Sequence, residues 1–353
     1  MGSFCALLFI PILIQHIGIR GVEYKKKNKW ALNVFFVLYV CLLMFRRVDV
    51  GKDTSVYVYY FSKYANMQWE DLVYSVQEIG FVYFCKIISM ISMNSQVFLA
   101  IASAVTIILM VPTYRRLCVD ASLTIVLFCT MSTFVMMFSG IRQMISVAIG
   151  LVAYEFTRKK KFLKFLMAVF VATTFHVSAF MLLFMYPVYH AKITKKWIKY
   201  LVPFLGIIFA LNKSIFEILN GILEKISRFS GSLTSTGAYA MLILFVVFAI
   251  FAFLVPDEQK LDEETVGLRN FLILSVIIQM FAPLHTLAMR MNYYYIIFIP
   301  LLLPKIIVFR NKKWAQVAYL GRNIMVIFFL IYFFFCAYQK DALNVFPYHF
   351  FWE

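Results

Sequence analysis

Charged residues are scarce in this sequence. Only 14% of its 353 residues are Asp, Glu, Lys or Arg, and 63% are hydrophobic, whereas about a quarter of a soluble domain is charged and about half is apolar. This balance excludes an ordinary water-soluble domain. It is typical of a chain that crosses a membrane several times, with roughly 20 apolar residues in each crossing helix.

Regular alternation of polar and apolar residues is also lacking. The run ASAVTIILMV at 102–111 is almost continuously apolar, which favours a helix, because backbone groups in lipid must bond within their own segment. The six cysteines show no CxxC pair and no metal-ligand spacing, which is typical of small core residues and not of a metal site. We expect no cofactor. The first apolar run lacks a basic start, so we expect no cleavable signal peptide.

Long apolar segments are what the sequence contains instead. They predict an all-α integral membrane protein, a polytopic bundle of about 12 transmembrane helices that forms a single domain over residues 1–353. The predicted spans are 3–19, 30–45, 95–113, 121–139, 141–157, 162–175, 177–190, 197–212, 236–255, 268–284, 291–309 and 322–338. The amphipathic stretch 78–93 predicts a helix that does not span.

Basic residues outnumber acidic ones by 34 to 17, which gives a net charge of +17. They collect in short loops such as 25–29, 158–161 and 192–199. This pattern indicates cytoplasmic loops and not nucleic-acid binding, so no nucleic-acid partner is expected. With these loops inside, both termini lie outside, as do the loops 46–94 and 213–235, which contain short amphipathic helices. The acidic stretch 256–267 then forms a cytoplasmic loop.

Residues 162–190 fit either one long helix or a hairpin of two short ones. A single crossing would place the basic loop 192–199 outside, so orientation favours the hairpin. We expect its tip, residues 173–179, to lie below the membrane surface, with His176 in a protein cavity.

Unusual polar residues fall on the predicted outer side. They are the stretch RRVDVGKDT at 46–54, Glu78, Arg142, His176, His285 and Arg290. An arginine near the membrane core is costly, and usually has a partner or a function. The carboxylates also have a simpler interpretation, in which Asp53 caps a helix that starts near Thr54 and Glu78 caps the next helix. The sequence leaves both interpretations open.

Five motifs occur in order along the chain: RxDVGKDTxxYxxYF at 47–61, EIGF at 78–81, SGIRQMISVAIGL at 139–151 followed by RKKK, FHVSA at 175–179, and RMNYYY at 290–295. In these motifs the chain resembles the EpsG family of Wzy-like polymerases of exopolysaccharide, O-antigen and capsule assembly. It departs at position 52, where GKDT replaces the frequent GTDT. The resemblance implies a GT-C-like glycosyltransferase that joins repeat units carried on undecaprenyl pyrophosphate. It also implies an active site on the outer side of the bacterial cytoplasmic (inner) membrane, without a nucleotide sugar or a metal.

The resemblance assigns roles to residues whose chemistry suits a pyrophosphate leaving group. Arg142 and Arg290 are the expected clamp, because the planar guanidinium binds phosphate oxygens in pairs, and Arg46 or Arg47 would assist. The candidates for general base or acceptor positioning are Asp53, Glu78 and His176, with Asp53 the least favoured. The other expected substrate-binding residues are Asp49, Gly51, Thr54, Tyr57, Gln143 and Tyr294.

Other functions remain open. A glycan ligase would use the same lipid-linked donor. A transporter or flippase would have charges near the middle of the membrane and discontinuous helices in paired halves. A membrane acyltransferase would need a partnered histidine, for which His176 and Ser178 give little support. The expected partners of a polymerase are a lipid-linked oligosaccharide, membrane lipid, and a chain-length regulator and flippase of the same pathway.

Overall fold

Helices make up nearly all the regular structure of the computed structural model, which describes residues 2–17, 23–226, 238–339 and 343–353. Those ranges contain no β-strand, only two isolated bridges, so the expected all-α class is confirmed. The α-helices are α1 (Gly2–His16), α2 (Tyr24–Met44), α3 (Thr54–Asn66), α4 (Ile79–Ser89), α5 (Ser95–Leu117), α6 (Ala121–Thr130), α7 (Ser132–Ser139), α8 (Ile141–Arg158), α9 (Phe162–Phe175), α10 (Met185–His190), α11 (Ile198–Ala210), α12 (Asn212–Ile226), α13 (Tyr239–Leu254), α14 (Glu263–Gln279), α15 (Thr286–Ile296), α16 (Ile299–Val308) and α17 (Ala315–Gln339).

Several of these helices are long enough to cross a membrane. Among the described residues, Tyr24–Met44, Ser95–Leu117 and Lys312–Phe335 meet the requirements of length and hydropathy, and the number rises to six if each of three bent pairs is one span. Five shorter apolar helices accompany them. The chain therefore has the character of a multi-pass membrane protein, while the number of about 12 spans and the GT-C-like build stay predictions.

Two predicted spans are bent instead of continuous. Segment 121–139 forms α6 and α7, which meet at Met131 with an angle of 61°, and segment 291–309 forms α15 and α16, at 45°. At the first bend the Thr130 hydroxyl lies 2.9 Å from the carbonyl of Val126. Such back-bonding of a hydroxyl to the preceding turn bends helices. Neither proline nor glycine stands at this bend, so the sequence carries no strong signal for it.

The chain divides into two compact units. The first unit comprises Met1–Leu183 and Leu320–Glu353, and the second comprises Phe184–Tyr319. In the first unit, α8 packs against α5 and α9, and α2 packs against α1 and α5. In the second unit, α14 is central and contacts α10, α13, α15 and α16.

Contacts of α1 distinguish the two ends of the helices in the first unit. At one end, Arg322 of α17 donates to Asp120 over 2.9 Å, and Gln15 of α1 donates to the same carboxylate. At the other end, Phe4 near the start of α1 contacts Tyr348 of the C-terminal tail, with ring centroids 5.7 Å apart. Both described termini of the unit therefore lie at the same end.

The C-terminal tail, residues 343–353, is bonded to the first charged loop. The N–H of Gly51 donates to Asn344 over 2.8 Å, and the N–H of Arg47 donates to His349 over 3.0 Å. The Tyr348 hydroxyl reaches the carbonyl of Leu42, at 2.8 Å. Because the tail and the loop must share one side of a membrane, the chain crosses an even number of times between them. The predicted ten crossings satisfy that requirement.

The predicted acidic loop 256–267 of the second unit is shorter in the structure. Helix α14 begins at Glu263, and the Asp262 side chain accepts the N–H of Thr265 over 2.7 Å. The prediction of a loop was wrong for residues 263–267. Acidic residues are common in solvated loops, but they also favour the first turn of a helix, which is where these residues lie. Of the predicted outer loop 213–235, residues 213–226 belong to α12, and the remainder, 227–235, lies outside the described residues.

Candidate functional site

The turn of RRVDVGKDT is fixed by a glycine. Gly51 has φ +94°, and a Cβ there would lie 2.6 Å from the Thr54 hydroxyl and clash with the carbonyl of Phe138. A side chain is strained in such a conformation. The Thr54 hydroxyl lies 2.9 Å from that same carbonyl, and α3 starts at Thr54 as predicted. The loop is thereby held against the end of α7.

Asp53 stands at the N-cap position of α3, but its side chain makes no capping hydrogen bond. The backbone N–H of Asp53 instead donates to the Ser139 hydroxyl over 3.1 Å. Ser139 belongs to the SGIRQ motif, so two motifs that are about 90 residues apart in sequence are in contact. The half-buried carboxylate of Asp53 is thus not used as a helix cap.

Arg142, in the first turn of α8, is the centre of a cluster that includes Glu78, Tyr57 and Phe81. Its Nη1 donates to Oε2 of Glu78, and both side chains are 21% exposed. The guanidinium lies over the rings of Tyr57 and Phe81, at 5.7 and 5.8 Å. Its Nε is buried and has no hydrogen-bond partner among the described residues. A guanidinium has five N–H donors in a fixed fork, so this arginine keeps donating capacity inside the protein.

Glu78 connects Arg142 to the segment after α9. It occupies the N-cap position of α4 without capping that helix, and its Oε1 accepts the N–H of Val177 over 3.2 Å. This contact requires α4 to approach α9 closely. Gly80 permits it, because a Cβ there would lie 2.7 Å from the carbonyl of Thr174. A carboxylate held at both oxygens orients its partners well.

His176 lies where the predicted hairpin tip was expected. The chain breaks there between α9 and a 3-10 helix, Val177–Phe184. His176 has an extended backbone, and its Nδ1 lies 2.7 Å from the Ser178 hydroxyl. Glu78 and His176 together receive the first N–H groups of the 3-10 helix, from Val177 and Ser178. The two side chains therefore share one small element.

The two loop arginines have different environments. Arg47 makes a bidentate pair with Asp49, at 2.8 and 2.7 Å, and this hydrogen bonding lowers the pKa of Asp49. Arg46 is 1% exposed and donates to the carbonyl of Leu43 and, over 3.2 Å, to the hydroxyl of Ser103. Burial lowers the pKa of Arg46 to about 10. Arg47 lines a shallow cavity of about 460 Å³ with Asp49 and Lys52, whereas Arg46 points into the helices.

Other predicted site residues of the first unit are buried. Tyr57 is 8% exposed beneath Arg142, and Gln143 is 1% exposed on α8. The structure thus brings four of the five motifs into one cluster, through contacts between Asp53 and Ser139, Glu78 and Arg142, and Glu78 and Val177.

The fifth motif belongs to the second unit. Arg290 is exposed on α15, and Tyr294 on the same helix is 1% exposed. His285 caps α15 by accepting the N–H of Leu287 at Nδ1, over 3.0 Å, and its ring lies 5.7 Å from that of Phe216.

Some contacts of the cluster had no counterpart in the predictions. Phe81 under Arg142, the hydroxyl of Ser139 and the tail residue Asn344 were not singled out as site residues. Phe81 and Ser139 lie within the EIGF and SGIRQ motifs, so those motifs were the available signal. Asn344 lies about 300 residues from the loop that it contacts, and nothing local in the sequence indicates this pairing.

Comparison with known proteins gives a match to a family model. The model of the EpsG family matches residues 29–350. No curated protein and no solved structure matches the chain.

Proposed function

Because this chain belongs to the EpsG family, whose members are polysaccharide polymerase-like membrane proteins, we propose that it is a membrane glycosyltransferase that polymerises lipid-linked repeat units. The donor would be an oligosaccharide on undecaprenyl pyrophosphate, and the growing chain would pass from that carrier to an acceptor sugar. The protein would act in the bacterial cytoplasmic membrane, with its site facing outside. A chain-length regulator and a flippase would be partners.

The half-buried guanidinium of Arg142, which is paired with Glu78 and whose Nε has no hydrogen-bond partner among the described residues, is the observation that carries this proposal. Breaking the bond to a pyrophosphate leaves negative charge on an oxygen, and positioned cations stabilise that charge in a site with little water. Arg142 is oriented by Glu78 and two aromatic rings, and its Nε has no partner among the described residues. Phosphate oxygens are strong acceptors for such a donor.

The loop 46–54, which contacts the end of α7 at Phe138 and Ser139, offers polar groups for a carbohydrate substrate. Arg47, Asp49 and Lys52 line the shallow cavity of the same loop, and their polar groups are of the kind that binds sugar hydroxyls. Asp53, Glu78 and His176 supply candidates for the base that accepts the proton of the acceptor hydroxyl. For Arg290 and Tyr294 of the fifth motif, the proposed roles are a phosphate contact and a sugar contact.

A first test follows the length of the sugar chains made by purified protein from a lipid-linked repeat unit. The wild type should form a ladder. Arg142→Ala should reduce it by about 10²-fold or more, as loss of one charge-stabilising donor does, and Arg290→Ala should also weaken it. Arg158→Ala is the matched control, because Arg158 lies at the opposite end of α8 and pairs with Glu155 at 2.7 Å. Absence of a ladder with the wild type would argue against a polymerase. If the folded Arg142→Ala variant still formed a ladder, Arg142 would be excluded as the residue that binds the pyrophosphate.

A second test concerns the side of the membrane. In a cysteine-free background, Lys52→Cys should react with an impermeant thiol reagent in intact cells, because Lys52 is exposed on a loop that we predict to lie outside. Lys160→Cys, in the basic loop after α8, should react only after the membrane is opened. Equal labelling of both, or the reverse order, would contradict an outward-facing site.

The bent helices support one alternative function, that of a transporter. Three pairs bend by 45° to 66°, and discontinuous helices are typical of secondary transporters. A flippase would move labelled lipid-linked oligosaccharide across proteoliposome membranes without lengthening it. Ladder formation without such movement favours the polymerase, and movement without a ladder favours the transporter.

A further inference from the structure

Hydrogen bonding at His176 determines which ring nitrogen carries the proton. The backbone N–H of Ser178 donates to Nδ1 of His176 over 3.3 Å. An amide N–H is always a donor, so Nδ1 must offer its lone pair, and the hydroxyl of Ser178 at 2.7 Å can donate to the same atom. A neutral imidazole has one N–H and one acceptor nitrogen. The proton therefore lies on Nε2.

The same arrangement recurs independently in the second unit. His285 has φ −159° and ψ 140°, close to the −156° and 124° of His176. The N–H of Leu287, two residues later, donates to Nδ1 of His285 over 3.0 Å. In both places an extended histidine precedes a helix, and its ring receives a backbone N–H of the first turn. Because the same hydrogen bond forms at both histidines, we attribute the tautomer of His176 to this local backbone geometry.

This tautomer limits what His176 can do in the reaction. The lone pair that could take a proton is on Nδ1 and faces Ser178. The Nε2–H can only donate. Glu78 is also engaged at both oxygens, by Arg142 and by the N–H of Val177. Asp53, by contrast, has a half-buried carboxylate that makes no capping bond at the start of α3.

We propose that His176 donates a hydrogen bond from Nε2 to the leaving pyrophosphate, with Ser178 as its positioning residue, and that Asp53 is the base. This rests on the proposed polymerase function. The acceptor oxygen forms a bond to the anomeric carbon and loses its proton to the Asp53 carboxylate. The bond from that carbon to the pyrophosphate oxygen breaks, and its electron pair stays on that oxygen. Arg142 and the Nε2–H of His176 stabilise the resulting charge.

The position of Asp53 suits this division of roles. Its carbonyl accepts the N–H of Tyr57 over 3.1 Å, so it lies one helical turn, about 5.4 Å, before the tyrosine beneath Arg142. Its own N–H is bonded to Ser139, three residues before Arg142. The base and the phosphate clamp thus belong to adjoining parts of one cluster.

Two amide variants of His176 separate a donor from a base. In His176→Gln the side-chain amide reaches the position of Nε2, so it can still donate but cannot transfer a proton. In His176→Asn the amide oxygen replaces Nδ1 as acceptor for Ser178 and keeps the cap, but nothing replaces Nε2. We expect the Gln variant to retain ladder formation within about tenfold, whereas the Asn variant, with an unchanged melting temperature, loses about 10²-fold or more. Asp53→Asn should lose about 10²- to 10⁴-fold.

Equal loss in both folded His176 variants would overturn the donor role and make His176 the base. Full activity of Asp53→Asn would overturn the assignment of the base. The tautomer is measured independently of activity, by ¹⁵N NMR of histidine-labelled wild type, with the His176 signals identified by their absence from the Asn variant. Protonated Nε2 is expected, and protonated Nδ1 would refute the proposal. If the wild type makes no ladder, the polymerase function fails, while the NMR result still decides the tautomer.

Discussion

The ion pair between Glu78 and Arg142 should contribute measurably to stability. Glu78→Gln removes the charge but keeps an oxygen for the N–H of Val177, so the cap of the 3-10 helix survives. Arg142→Met removes the guanidinium and keeps an apolar chain over Tyr57. The double variant completes a cycle that isolates the energy of the pair, because both partners are replaced by groups of similar size.

The magnitude follows from burial. Both side chains are 21% exposed, so the pair lies between the surface and the core. Exposed ion pairs contribute about 0.2–1 kcal/mol, and hydrogen bonds to charged groups about 1.5–3 kcal/mol. We expect a coupling of about 1.5–3 kcal/mol, because water reaches only a small part of either group. With an unfolding entropy of about 0.74 kcal/mol/K for 353 residues, the single variant Glu78→Gln should then melt about 2–4 °C below the wild type.

The assay is unfolding in mixed detergent micelles, followed by tryptophan fluorescence. The control cycle uses Arg47 and Asp49, whose bidentate pair has side chains 37% and 58% exposed. This exposed pair should show a smaller coupling than the Glu78 pair, because solvent screens it. Equal couplings in the two cycles would mean that partial burial does not strengthen the pair of Glu78 and Arg142. That result would refute the argument that Glu78 holds Arg142 in position.

Three further predictions concern the loop of the first unit. Gly51→Ala should destabilise the protein by about 1–3 kcal/mol, since φ is +94° there, whereas Gly206→Ala, with open space within 4 Å, should not lower the melting temperature. Removing the tail 343–353 should speed hydrogen exchange at the amide of Gly51, which loses its acceptor; unchanged exchange would mean that the tail does not hold the loop. The pair of Arg47 and Asp49 should stabilise the loop above the ordinary carboxyl pKa, about 3.9, and lose that effect as pH falls through the lowered pKa. Arg47→Ala should raise the pKa of Asp49 in carboxyl ¹³C titrations, and an unchanged value would contradict the pairing.

Apolar length and local start signals were enough to predict most helices. The segment 95–113 became α5, which is capped by Asn94 and ends in a basic turn, and α3 starts at Thr54 as expected. The chain break at His176 was also predicted, because the basic loop after residue 191 constrained the orientation. These features depend on residues close together in sequence, where propensity and charge rules apply.

Features that depend on distant contacts were not predictable. The bend at Met131 has neither proline nor glycine to indicate it, and the apolar run through it reads as one helix. Arg46 and Arg47 are adjacent and chemically alike in sequence, yet one is buried against Ser103 and the other pairs with Asp49 at the surface. Only the packing of α2 against α5 distinguishes them. The motifs identified the cluster, while the partners of Glu78 and His176 required the fold.

The hydrogen bonds between the tail and the first loop constrain the order of folding during synthesis. Leu42 and Tyr348 are 306 residues apart, and a ribosome adds about 5–20 residues each second, so the loop is made roughly 15–60 s before its last partner. Until then Gly51 and Arg47 lack their backbone acceptors. A chain truncated before residue 343 would lack these hydrogen bonds even with its helices in the membrane. The loop that carries Asp53 is therefore fixed only after residues 344–349 have been made.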